Sequence, residues 1–171
     1  MWTKALQTIN RSTEWLTCIF LIVMVVIIFL QVVSRTFLQS SFPWTEELAR
    51  YLMIWLTFLG AAFSFQYGAH IGIGIITDKL PKKLAAIIDV IVCILCIFLF
   101  SSLLVKGWEL VTRSMNQQSP AMSIPMSYVY LIIPLSGILM ILNVVDVTYK
   151  NVKKLWKGEE TGLLRYYLDF F

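Results

Sequence analysis

The sequence predicts an all-α integral membrane protein: four transmembrane helices, both termini in the cytoplasm, and short amphipathic segments at the interfaces. Two observations carry the prediction. Of 171 residues, 58% are hydrophobic and only 14% charged, with mean hydropathy +0.77. A soluble domain carries about a quarter charged residues, and no soluble core of this length hides so much apolar surface. Apolar runs also recur along the chain, each close to the roughly 20 residues that cross about 30 Å of hydrocarbon as a helix. Period-two alternation is absent, which argues against a barrel, and a helix satisfies its own backbone inside lipid.

The first run predicts a span over residues 15–33. Its uncharged stretch exceeds the roughly 7–15 residues of a signal-peptide core, and Gln31-Val32-Val33-Ser34-Arg35 is a poor cleavage site. The second span covers residues 51–69, with Glu46, Glu47 and Arg50 as a charged preamble. The third covers residues 84–105 and contains one acid, Asp89. The fourth covers residues 127–145, interrupted by Pro134. Residues 150–171 form a cytoplasmic tail, and the whole chain is one membrane domain.

Orientation follows from lysine and arginine. Lys4, Arg11, Lys79, Lys82, Lys83, Lys150, Lys153, Lys154, Lys157 and Arg165 fall on one side of the predicted spans. Arg35, Arg50, Lys106 and Arg113 fall on the other. The basic excess belongs in the cytoplasm, where anionic lipid attracts it. The net charge of +4 therefore calls for lipid and not for nucleic acid. Trp15, Trp44, Tyr51, Trp108, Tyr128, Tyr149 and Trp156 sit near span ends, as interfacial anchors do.

Groups that could carry chemistry are sparse. His70 is the only histidine, so a bis-histidine haem within one chain is excluded. Gly72 and Gly74 lack the third glycine and the preceding strand of a dinucleotide loop. Cys93 and Cys96 have redox spacing but no second cysteine pair, and read as packed thiols. Asp89 has two readings: an intramembrane functional carboxylate, or an acid near enough to Lys82 and Lys83 to pair or hydrate. A self-sufficient transporter places substrate groups and broken helices at mid-membrane. This chain offers mainly smooth, aromatic-rich helices, and no catalytic, cofactor or metal site is expected.

The stretch Phe42-Pro43-Trp44-Thr45-Glu46-Glu47-Leu48-Ala49-Arg50-Tyr51 runs from charge into the second span without a break. Pro43 suits an early helix position, Glu46 and Glu47 suit the helix dipole, and Glu46 to Arg50 is an i,i+4 pair. One stripe reads Trp44, Glu47 or Leu48, Tyr51, Trp55, Phe58 or Leu59, and Ala62 at helical spacing. Two readings remain open on physics alone: a capped helix entry, or a polar docking cluster for a second protein.

Trp44-x-Glu46-Glu47-x-x-Arg50-Tyr51, then Trp55, then Leu59-Gly60-Ala61-Ala62, then Gly68-x-His70-Ile71 resembles the small membrane subunit of tripartite ATP-independent periplasmic (TRAP) transporters. The stretch Ser119-Pro120-Ala121-Met122-Ser123-Ile124-Pro125-Met126-Ser127-Tyr128, with Pro134 beyond, resembles that family's entry into its fourth span. The sequence departs from the family pattern at Gln66, where a basic residue is common, and near Gly74, where an acid is. The resemblance implies a non-catalytic scaffold subunit in the bacterial inner membrane, packed against a large elevator-type permease. That permease holds the sodium and substrate sites and imports an organic acid of the C4-dicarboxylate or sialic-acid class. A periplasmic solute-binding protein delivers the solute. On this reading Trp44, Glu46, Glu47, Arg50, Tyr51, Trp55, Gly60 and His70 are partner-interface candidates, and Arg113, Gln117 and Gln118 are candidates for periplasmic contact. The alternatives are a stand-alone homodimeric four-helix transporter or a membrane anchor for a redox enzyme.

Overall fold

The computed structural model describes residues 2–37, 42–67 and 82–157. The regular elements among them are helical: α1 (Trp2–Phe37), α2 (Pro43–Ser64) with a 3-10 turn at Phe65–Tyr67, α3 (Lys82–Arg113), the short α4 (Met126–Tyr130) and α5 (Ile132–Lys157). Leu6–Phe37, Val90–Arg113 and Met126–Lys150 are long and apolar enough to cross a membrane. The run expected as a span over residues 51–69 is helical to Ser64 and tightens into the 3-10 turn. Ala69, His70, Gly74 and the tail from Gly158 lie outside the described residues.

Helices outrun the apolar stretches that announce them. The connection expected over residues 106–123 is shorter, because α3 continues to Arg113. Glu109 accepts from Lys106 at 3.0 Å and from Arg113 at 2.5 Å, at i,i+3 and i,i+4 spacing. Such pairs support a helical turn beyond the apolar run. Polar residues likewise carry α1 back to Trp2.

The helices form a row in the order α1, α2, α5, α3, with α5 well enclosed and the two flanking helices largely bare. The inward positions of α1 are Leu6, Asn10, Thr13, Thr17, Phe20, Met24, Ile27, Gln31 and Ser34. They alternate at four and three residues, the period that keeps one narrow seam against a neighbour. Trp55 of α2 meets Phe20 of that seam edge to face, with ring centroids 5.9 Å apart.

α3 and α5 approach closely through two glycines. A Cβ on Gly107 would stand 2.8 Å from Ile133 Cγ2 and 3.1 Å from the Pro134 backbone nitrogen. One on Gly137 would stand 3.4 Å from the Phe100 carbonyl oxygen. Pro134 cannot donate to the carbonyl one turn earlier, and the helix breaks at Leu131, separating α4 from α5. Beside Gly137, Ala62, Phe100, Met140 and Val144 form a buried cluster shared by α2, α3 and α5, with Cys93 and Cys96 packed against it.

Candidate functional site

Two polar ties, one near each end of α2, hold the row together. The first begins at the helix start. Pro43 occupies the first turn, and the Thr45 hydroxyl donates to the Phe42 carbonyl at 2.7 Å. This geometry sends Glu46 and Glu47 in opposite directions. Glu46 faces out and pairs with Arg50. Glu47 faces in, only 9% exposed, towards the loop between α3 and α4.

That loop is ordered by its own backbone. Ser119 N–H donates to the Ile124 carbonyl at 2.9 Å, and Met126 N–H donates to the Gln117 carbonyl at 2.8 Å. Ser123 takes a left-handed conformation, φ 54°, which presents the preceding backbone N–H groups to one side. Two consecutive amides, Ala121 and Met122, donate to Glu47 Oε2 at 2.8 and 3.0 Å. Tyr51 Oη–H donates to Glu47 Oε1, and the nearby Ser119 hydroxyl helps to lower the carboxyl's pKa. Successive backbone N–H groups of this kind form an anion-binding nest, here filled by the chain's own carboxylate. Burial pushes the Glu47 pKa up; the bonds from Tyr51, Ser119, Ala121 and Met122 outweigh it and hold the carboxyl below its usual range.

The second tie joins three helices near the opposite end. Asn10 Nδ2 donates to Asn143 Oδ1 at 2.6 Å, and Asn143 Nδ2 donates back to Asn10 Oδ1 at 3.1 Å. Asn143 Nδ2 also reaches the Ala62 carbonyl at 2.8 Å, where α2 is about to tighten into its 3-10 turn. Both asparagines are 1% exposed. Close by in sequence, buried Asp146 pairs with Lys150 at 2.5 Å. These amides had a sequence signal: Asn143 is the one side-chain amide in the apolar run 127–145, and buried polar groups inside spans need partners. Their pairing, across 133 positions, had none.

The other candidates separate. Tyr51 and Trp55 are used inside the chain. Trp44, Glu46 and Arg50 are exposed, and Gly60 opens onto empty space. Arg113 is paired to Glu109, while Gln117 and Gln118 are exposed on the ordered loop. Asp89 lies in α3, with its side chain outside the described residues, as is His70.

The two grooves formed by described residues do not gather the polar groups that a charged solute would need. The groove of about 470 Å³ between α3 and α5 is walled by Leu104, Val105, Trp108, Leu131, Pro134 and their apolar neighbours. A second, of about 350 Å³, is walled mainly by Leu99, Phe100, Leu103 and Met140, with Ser102 and Lys106 at its edge. Among the described residues no three His, Cys, Asp or Glu side chains gather as a metal would require.

A row of long apolar helices, with its polar groups turned to internal fastening, defines a multi-pass membrane protein. Residues 24–154 match the family of tripartite ATP-independent periplasmic transporters, DctQ component, and the chain belongs to that family. This is a family of transporter subunits, not an enzyme family. The chain is 28% identical over 88% of its length to 94% of a TRAP transporter small permease protein of Haemophilus influenzae. It is 24% identical over 89% of its length to 87% of the sialic acid TRAP transporter small permease protein SiaQ of Vibrio cholerae. A third relative is larger: the match to the sialic acid TRAP transporter permease protein SiaT of Haemophilus influenzae is 32% identical and covers 56% of this chain, but 16% of that one.

Proposed function

We propose that the chain is the non-catalytic small subunit of a sodium-driven TRAP transporter that imports an organic acid across the bacterial inner membrane. It spans the membrane four times with both termini in the cytoplasm, so the Glu47 tie lies at the periplasmic face and the Asn10–Asn143 tie at the cytoplasmic one. It packs against the large permease subunit, which carries the substrate and sodium sites and does the moving. A soluble periplasmic protein supplies the solute. Family members are named for transport of sialic acid and C4-dicarboxylates, which supports an organic acid as the substrate class.

One observation carries the reading beyond family membership. The buried polar groups described above are consumed in bonds that hold helices and loop to one another, while the grooves are apolar. An anionic solute needs convergent donors, so the chemistry of uptake falls to another chain. The test is co-expression of this chain, affinity-tagged, with a large TRAP permease subunit in detergent. A stable one-to-one complex is expected; failure of the two to co-purify in several detergents and in lipid nanodiscs sinks the reading.

A further inference from the structure

α2 has two long stripes, and the chain uses one. The inward stripe holds Glu47, Leu59 and Ala62, with Tyr51 and Trp55 between them. The opposite stripe is Glu46, Arg50, Met53, Thr57, Gly60 and Ser64. Its spacings of four and three residues repeat those of the α1 seam, so it too presents a single straight face to one neighbouring helix. Among the described residues it is open: Met53 is 62% exposed, and Thr57 and Ser64 are exposed.

Gly60 lies one turn from the Ser64 end of this face. The other two glycines in the described helices make room for a neighbour within the chain, but a Cβ on Gly60 would meet nothing within 4 Å. Glycine weakens a helix interior relative to alanine, and here the weakening is offset by no internal contact. Lipid does not account for the face either. The outer sides of α1 and α3 carry Ile22, Phe29, Leu95 and Phe98, all well exposed, which suit acyl chains. The α2 face instead carries two hydroxyls, bonded back to the Met53 and Gly60 carbonyls at 2.8 and 2.7 Å, and a bare backbone between them. In lipid, helices associate by close backbone approach at such small residues, because apolar bulk gains nothing over acyl chains.

Charge and kinship identify the occupant. At the loop end the face carries an acid and a base side by side, Glu46 and Arg50, their side chains 57% and 70% exposed. Paired with each other and open to the outside, they suit polar groups at the end of a partner helix better than an acyl chain. Relatives of this chain also occur as 16% of longer polypeptides named as TRAP permease proteins, which joins this kind of segment covalently to a permease body.

We propose that the Glu46–Arg50–Met53–Thr57–Gly60–Ser64 face of α2 seats a transmembrane helix of the large permease subunit, with closest approach at Gly60. The proposal rests on the small-subunit reading above. The test co-expresses the tagged chain with a large TRAP permease subunit and compares three forms. If the unaltered chain fails to co-purify, the subunit reading itself falls, whatever the face. Given that complex, Gly60→Leu is expected to lower the yield of large subunit at least tenfold, while the tagged variant alone keeps its helical circular dichroism and elution position. A photo-crosslinking residue at Met53 or Thr57 is expected to give adducts with the large subunit, and one at Ile22 or Leu95 to give few. The crosslinking arm decides the matter even if Gly60→Leu does not fold. Unchanged yield with a folded Gly60→Leu overturns the proposal. So do equal adducts from all four positions, adducts only with lipid, or adducts only with a second copy of this chain.

Discussion

Glu47 and Asn143 both fasten α2 to residues far away in the sequence, but by opposite chemistry. At the loop end the tie is a charged carboxylate that accepts from two consecutive backbone amides and the Tyr51 hydroxyl. At the other end it is a neutral amide pair that also caps a free helix carbonyl. The difference follows desolvation. An ion is expensive to remove from water unless several donors surround it, and the α3–α4 loop can supply backbone N–H groups that a packed helix cannot, since its own are already bonded. Between helices a side-chain amide carries no charge to desolvate, and both its donor and its acceptor find partners. Each tie is thus built from the donors available at its depth.

The comparison can be broken most forcefully at Glu47. In Glu47→Ala the Ala121 and Met122 amides lose their acceptor together, and the Tyr51 hydroxyl keeps only Met126 Sδ, at 3.3 Å. Hydrogen exchange at Ala121 and Met122 is expected to accelerate on the order of tenfold or more, measured by exchange mass spectrometry in nanodiscs; unchanged exchange would mean the loop holds itself. Glu47→Gln keeps acceptor oxygen without the charge and should fall between. Next comes Asn143→Leu, which strands the Asn10 amide and the Ala62 carbonyl and should destabilise by about 1–3 kcal/mol. Adding Asn10→Leu should recover part of that loss, because removing both partners is cheaper than removing one; unfolding in mixed micelles reads both variants.

Acid separates the two ties without mutation. The Glu47 carboxyl is depressed on folding. Its contribution is therefore present above the unfolded pKa of about 4.3 and is lost as pH falls through the lower folded value. Loop exchange, corrected for its intrinsic pH dependence, should stay flat from neutral pH to about 4 and then rise. The amide pair has no titrating group and should show no such step, nor should the loop in Glu47→Gln. The smallest effect belongs to Glu46→Ala. Its ion pair with Arg50 is solvent-exposed, and such pairs contribute about 0.2–1 kcal/mol. A loss of stability in the isolated chain as large as that of Glu47→Ala would erase the distinction between neighbouring acids.

Helix existence was legible in the apolar runs because lipid demands long uncharged segments, and Pro134 announced the break at Leu131. Helix ends were not, since α1 and α3 continue through polar residues supported by local pairs such as Glu109 with Arg113. The two stripes of α2 show a deeper limit. The partner-interface candidates Trp44, Glu46, Glu47, Arg50, Tyr51, Trp55 and Gly60 fall on both stripes: Glu47, Tyr51 and Trp55 are engaged within the chain, while Trp44, Glu46 and Arg50 are exposed. In a soluble helix polarity would mark the outer side. In a chain this apolar that cue fades, and on α2 the proposed contact face is told apart by its small residues, Gly60 above all. Ser119, Asn10 and Asn143 were missed for another reason: their roles depend on pairings across distant positions that no local pattern encodes.

The most direct test of the central claim, that this chain supports transport without performing it, is uptake in proteoliposomes under a sodium gradient, with a matched solute-binding protein supplying labelled organic acid. Uptake is expected only when this chain and the large permease subunit are reconstituted together, and none from this chain alone. Uptake by this chain alone would contradict it.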